Sequence, residues 1–260
     1  VLFRSQYVQQ KKSVAPAVLV IAWLLEPEVI QPDIYSLLQT QLYQAHKGAR
    51  IDRVWTHDLA YQQQLWHMSP KLRIEWIPNA MTFIAPHQWR RGSSVVSAEP
   101  ITTALFSAKH GLPAYELRHR LFHSIELHRL VRFQGGITGQ RFADTAQALS
   151  CFQFALVVEN NCVPGYFSEK LLDCFLLSVV PVIYGDESVI QSLSAYFDIS
   201  GCLFFTDLQS LLHLFETDQI STTRYQCLQP VRERNYDIAA LHYSSVESWL
   251  GLHPEVLRSS

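Results

Sequence analysis

Between residues 159 and 170 the chain gathers side chains of the kind that grip anions and hydroxyls. The stretch "ENNCVPGYFSEK" carries carboxylates at Glu159 and Glu169, an amide at Asn160, a phenol at Tyr166, a hydroxyl at Ser168 and an ammonium at Lys170. A loop that only reversed the chain could do so with a few residues of Gly, Asn and Pro. Ser168 is a favoured N-cap residue, and Leu171, Leu172, Phe175, Leu176 and Val179 follow it at helical spacing. In the first turn of that helix Glu169 suits the macrodipole, whereas Lys170 opposes it by ~0.3–1 kcal/mol. An anion sharing the site reverses that sign, and the free amides of a helix N-terminus favour phosphate. The plain alternative is a solvated Lys beside a capping Ser.

The elements that would position this stretch are apolar runs. "AVLVIAWLL" (17–25), "RVW" (53–55), "LRIEWI" (72–77), "ITTALFS" (101–107), "HRLVRF" (128–133), "FQFALVV" (152–158), "VVPVIYG" (179–185) and "CLFF" (202–205) read as strands. Between them lie helix-period stretches such as 33–46, 115–125 and 168–177. This alternation predicts an α/β architecture with parallel sheets. The stretch "PHQWRRGSSVVSAEP" (86–100) lacks an apolar period, and "WRRGSS" within it reads as a solvated linker. We therefore expect an N-terminal α/β domain over 1–95 and a C-terminal one over 99–260, closed by a helical tail at roughly 219–250. Open parallel sheets bind ligands beyond the carboxyl ends of their strands, which is where 159–170 falls.

The whole-chain properties exclude several classes. The 260 residues are 48% hydrophobic and 17% charged, which supports a packed core and excludes disorder. A net charge of −2 argues against a nucleic-acid partner. Five cysteines without a C-x-x-C pair argue against a disulfide framework or a zinc site. No Asn-x-Ser/Thr acceptor occurs, and the run at 14–25 is too short to span a membrane. These features favour a cytoplasmic or membrane-peripheral setting of bacterial type over a Golgi lumen. The chain begins with Val and reaches its first strand almost at once, as a truncated N-terminal domain would.

"FALVVENNCVPGYFSEKLLDCFLLSVVPVIYG" (154–185) resembles the donor-binding signature of the α1,3/α1,4-fucosyltransferases, glycosyltransferase family 10. The F-x-L-x-F-E-N start, the Y-x-T/S-E-K middle and the V-P-V/I-x-x-G end occur in order, with Val158 replacing the usual Phe and Phe167 inside the middle element. The likeness is tight over 147–185 and loose elsewhere between about 17 and 200. "FSAKHGLPAYELRHRLF" (106–122) is similar to the segment that opens the family's donor domain, with Arg118 at the position of its helical Arg. "AWLLEPEVIQP" and "RVWTHD" are similar to its N-terminal strand ends, although no Ser separates Glu26 from Pro27.

The resemblance implies a GT-B fold of two Rossmann-like domains facing a cleft. It implies inverting transfer of L-fucose from GDP-β-L-fucose to a hydroxyl of an oligosaccharide or glycoconjugate acceptor. Such chemistry needs a base for the attacking hydroxyl and positive groups for the departing diphosphate. No Asp-x-Asp occurs, so a metal is not required and is at most stimulatory, leaving the phosphates to Arg118 and Lys170. Glu169 would accept from the ribose, Tyr166 and Ser168 would line the nucleotide, and Asn160 would shape the loop or reach the donor. Glu159 either contacts the sugar or holds the loop by accepting amides. Glu26 is the candidate base, with Glu28 next in line. Two other classes stay open: a transferase for another nucleotide-sugar, and a nucleotide-binding chain without turnover.

Other suggestive residues have plainer readings. His57 and Asp58 read as a packed His and a capping Asp rather than an acid–base pair. His119, His123 and His128 belong to an amphipathic helix rather than a metal site, and the cysteines read as core filler.

Overall fold

The computed structural model describes residues 2–3, 21–24, 32–43, 51–78, 81–92, 100–161, 163 and 165–254. They form two compact units, 1–79 with Val163–Tyr166, and 80–162 with 167–260.

The first unit holds a parallel sheet in the order β1-β2-β3-β4, formed by Leu2–Phe3, Ile21–Leu24, Arg53–Thr56 and Arg73–Trp76. Helices α1 (Pro32–Tyr43) and α2 (Leu59–Met68) accompany it. Side chains alternate along each strand. Leu24, Val54 and Ile74 pack with Tyr35 and Leu38 of α1 and Tyr61 and Leu65 of α2. Trp23, Arg53, Trp55 and Glu75 occupy the alternate positions, where Glu75 accepts from Trp55 Nε1 at 2.8 Å and pairs with Arg73 Nε at 2.6 Å.

The second unit has a five-stranded parallel sheet in the order β6-β5-β7-β8-β9. Its strands are β5 (Thr102–Leu105), β6 (Val131–Gln134), β7 (Phe154–Val157), β8 (Val180–Tyr184) and β9 (Leu203–Phe205). Alternation divides β7 between two cores. Ala155 and Val157 join Leu171, Leu172 and Phe175 on one face, while Phe154 and Leu156 join Leu117, Leu121, Val180 and Val182 on the other. Coverage on both faces explains the uninterrupted apolar runs in the sequence. The helices are α3 (Pro113–Phe122), α4 (Thr145–Leu149), α5 (Glu169–Leu176), α6 (Glu187–Ser194), α7 (Leu208–Glu216), α8 (Thr222–Cys227), α9 (Gln229–Ile238) and α10 (Val246–Leu252). One turn of π-helix, Ala239–Tyr243, follows α9.

The α/β class and parallel sheets agree with the sequence reading. The eight expected strands all appear, although 127–129 is a 3₁₀ turn and β6 starts only at Val131. The expected boundary near 95–99 falls among residues outside the description. Residues 81–92 belong to the second unit rather than to a linker: Trp89 Nε1 donates to Ile84 O at 3.0 Å, Arg90 N to Leu176 O at 2.8 Å, and Arg91 forks onto Asp237 at 2.7 and 2.8 Å. Trp89 packs against the α5 core, and burying an indole outweighs the polarity of its neighbours. No described helix is long and apolar enough to cross a membrane.

Candidate functional site

In the second sheet β5 has β6 on one side and β7 on the other. Connections therefore leave its carboxyl end in opposite directions, which opens a crevice at that switch point. Two segments border it: the turn from β5 into α3, and the residues 158–161 and 167–168 that lead from β7 toward α5. Gly135, with φ +88°, ends β6 where an added Cβ would lie 2.7 Å from Phe106 O. Only glycine permits that approach.

Ser168 caps α5, its Oγ accepting from Lys170 N at 3.3 Å. Glu159, 7% exposed, clamps the loop to this cap: Oε1 accepts from Ser168 N at 2.9 Å and Oε2 from Ser168 Oγ at 2.7 Å. Of the two readings of Glu159, the loop-holding one is therefore present in the structure. Phe167 turns into the core and meets Tyr196, Phe197 and Tyr243 at 5.2–5.4 Å. Inserting an aromatic between Tyr166 and Ser168 thus anchors the loop while Ser168 keeps its polar role.

Lys170 Nζ donates to Ser168 Oγ at 3.0 Å and to Glu169 Oε1 at 2.9 Å, and lies 3.6 Å from Glu159 Oε2. Burial works against its charge, but the two carboxylates outweigh burial and hold the ammonium above its ordinary pKa. Burial also works against the Glu169 carboxylate, yet Lys170 keeps its pKa below the usual range.

Arg118 enters from the middle of α3, whose Pro113 occupies the first helical position. It is 3% exposed. Its guanidinium donates to Val158 O, to Asn160 Oδ1 at 2.9 Å and to Ser107 Oγ at 3.4 Å, with Tyr115 5.1 Å beneath it. Arg118 and Lys170 feel each other's charge, since the guanidinium pushes the ammonium's pKa down. Two cations are thus held within mutual repulsion beside a helix N-terminus, an arrangement suited to a polyanion.

Arg118, Glu159, Asn160, Ser168, Glu169 and Lys170 therefore lie together in the structure. Tyr166 is buried and groups with the first unit, its ring 5.1 Å from His57. Glu26 and Glu28 lie outside the described residues. Asp58 caps α2 by accepting from Tyr61 N at 2.9 Å. His57 is fully buried, donates from Nδ1 to Leu24 O at 3.3 Å and is pushed by burial down to about 4. Both plain readings hold. Cys174 and Cys202 are core residues, but Cys151 and Cys227 are exposed. The core-filler reading fails for that pair because both sit at element ends, outside the packed faces. Among the described residues no three His, Cys, Asp or Glu side chains could share a metal.

Sequence reasoning missed Ser107, Thr82 and Asp173. Ser107 had a signal, following β5 at the switch point. Asp173, within the helix-period stretch 168–177, is fully buried, with Thr82 Oγ1 donating to its Oδ1 at 2.6 Å.

No protein-family model matches the chain, and no curated protein sequence does. Solved structures do. Anabaena HepE in complex with UDP-glucose matches at TM-score 0.56 and 14% identity, over 92% of this chain and 72% of that one. The β-glucosyltransferase of phage T4 matches at TM-score 0.51 and 11% identity, over 82% and 69%. An α1,3-fucosyltransferase with GDP-fucose matches at TM-score 0.40 and 17% identity, over 51% of this chain; the match spans 40% of that chain. The α/β architecture with parallel sheets is that of GT-B glycosyltransferases.

Proposed function

We propose that the chain is an inverting glycosyltransferase that moves L-fucose from GDP-β-L-fucose to a sugar hydroxyl, forming an α1,3 or α1,4 linkage. The observation that supports it best is the convergence of Arg118 and Lys170 on the N-terminus of α5, inside the 154–185 stretch that resembles family 10. The fold shared with nucleotide-sugar proteins supports the coarser half of this reading.

In this account the Glu169–Lys170 pair opens when donor binds. Both side chains are about a third exposed, and such pairs contribute only ~0–1 kcal/mol. Glu169 then accepts from the ribose hydroxyls while the Lys170 ammonium turns to the diphosphate. Arg118, fixed by Val158 and Asn160, stays in place and neutralises the charge that develops as the bond from C1 to the diphosphate breaks. Glu159 holds Ser168 and thereby the entire loop, while Tyr166 and Ser168 line the nucleotide. Glu26 takes the proton from the acceptor hydroxyl as its oxygen attacks C1 from the face opposite GDP. The acceptor is an oligosaccharide or glycoconjugate, no metal is required, and the enzyme works in a cytoplasmic or membrane-peripheral setting.

The test is turnover of GDP-β-L-fucose with a panel of oligosaccharide acceptors, the product read as an α-fucoside. A general base contributes ~10²–10⁴-fold, so Glu26→Gln should lose that much rate while keeping GDP affinity. Transfer by the variant at the parental rate would remove Glu26 from this role. Turnover of a different nucleotide-sugar in place of GDP-fucose would replace the donor.

A further inference from the structure

Asp173 lies one helical turn beyond Glu169 on α5, so the two carboxylates share a face of the helix. Its side chain is fully buried. Oδ1 accepts from Thr82 Oγ1 at 2.6 Å, while Oδ2 has no hydrogen-bond partner among the described residues. The Thr145 hydroxyl of α4 is close enough to pull the carboxyl's pKa down. A buried carboxylate with a vacant oxygen is costly unless something else requires it.

Thr82 starts a strap that crosses the second unit. Its Oγ1 also accepts from Ile84 N at 3.0 Å, and its own N donates to Ser244 O at 3.4 Å. Ile84 enters the core beside Leu171 and Phe175, and Arg90 N closes the far end on Leu176 O at 2.8 Å. The strap thus holds α5 at its middle and at its carboxyl end, and Asp173 is its polar attachment one turn beyond Glu169.

We propose that Asp173, held by Thr82, is a positioning residue of the diphosphate site that sets the placement and the local charge of the Glu169–Lys170 turn. This inference rests on the proposed anion-binding role of that turn. Burial, with a smaller push from Glu169, raises the Asp173 carboxyl to about 7 against the pull of the Thr82 hydroxyl. Its charge therefore changes near neutrality. Glu169 and Lys170 are the charged groups facing it on α5. The strap and α4 contribute the neutral hydroxyls of Thr82 and Thr145. The adjacent Cys174 thiol is pushed well up by burial, as are the phenols of Tyr196 and Tyr243 in the aromatic layer, so all stay neutral over the same range. Above neutrality Asp173 adds a negative charge behind the turn that receives phosphate, and anion affinity falls.

The experiment is GDP affinity by calorimetry between pH 5.5 and 8.5 for the parent, Asp173→Asn, Thr82→Val and Thr82→Ser. The nucleotide's own phosphate titrates near pH ~6, so each variant is read as a ratio to the parent at the same pH. One added charge ~10 Å away, at an effective dielectric between protein surface and water, gives about three- to tenfold. Relative to Asp173→Asn, the parent should lose that factor in affinity as pH rises past 7. Thr82→Val removes a hydrogen bond that favours the charged carboxylate, so its midpoint should move up; Thr82→Ser should restore it. A parental ratio flat across the range, or a Thr82→Val midpoint unchanged from the parent's, overturns the positioning role. A parent that binds no GDP at any pH overturns instead the functional reading on which it rests.

Discussion

Arg118 of α3 donates to Asn160 Oδ1 at 2.9 Å across the switch point between β5 and β7. The bond joins two segments 42 residues apart in sequence, and it sets a buried guanidinium beside the start of α5. The Val158 carbonyl, the Asn160 amide oxygen and the Ser107 hydroxyl orient that guanidinium, and a planar cation so fixed suits a phosphate.

Replacing that group should therefore strike affinity before stability. Arg118→Lys retains a charge but loses the planar fork, and we expect GDP affinity to fall about tenfold or more. Affinity for GMP, which lacks the second phosphate, should fall less. Calorimetric titration of both nucleotides against parent and variant checks this, and equal losses for the two would move Arg118 away from the diphosphate.

The Ser168 cap carries both fold and site. Ser168→Ala removes an N-cap, at about 0.5–2 kcal/mol, and leaves Glu159 Oε2 without its donor. Glu159→Gln can keep the bond from Ser168 N but turns an amide N–H toward Ser168 Oγ, which already accepts from Lys170 N and Nζ, so the cap should weaken by about 1–3 kcal/mol. Urea unfolding should show both losses. A Glu159→Gln protein as stable as the parent would mean that the loop is held by Phe167 alone.

The strands, the α5 helix and its cap were legible because each rests on local signals: apolar runs, and a Ser before a 3.6-residue period. The conjunction of Arg118 with Asn160 could not be read from spacing, since it depends on β5 lying beside β7. The Trp89 strap was missed for a related reason. Its arginines read as solvated, yet one pairs with Asp237, distant in sequence, and its indole finds the α5 core. Asp173 sits among Leu172, Cys174 and Phe175, and only burial revealed that its carboxyl is enclosed.

Asp173 also makes a stability prediction whose sign follows from linkage. Its native pKa is raised from 3.8 to about 7. The folded state therefore binds the proton more tightly, and stability declines as pH rises from about 4 to about 7, then levels. About three pKa units correspond to something on the order of 4 kcal/mol. Asp173→Asn has no such decline, so its melting temperature relative to the parent should climb across that window. A constant difference between pH 4.5 and 8 would mean that Asp173 is already charged at the low end.

If the α5 turn and Arg118 form the diphosphate site of a GDP-sugar transferase, GDP, UDP, CMP and GMP should differ in their effect on the parent and on Lys170→Ala. A ligand at ~100 times its dissociation constant adds ~2.7 kcal/mol, ample for a thermal shift. The largest shift is expected with GDP, with smaller shifts for UDP, CMP and GMP and collapse of the GDP shift in Lys170→Ala. Equal shifts with all four nucleotides, or a GDP shift that survives the loss of Lys170, would contradict that assignment.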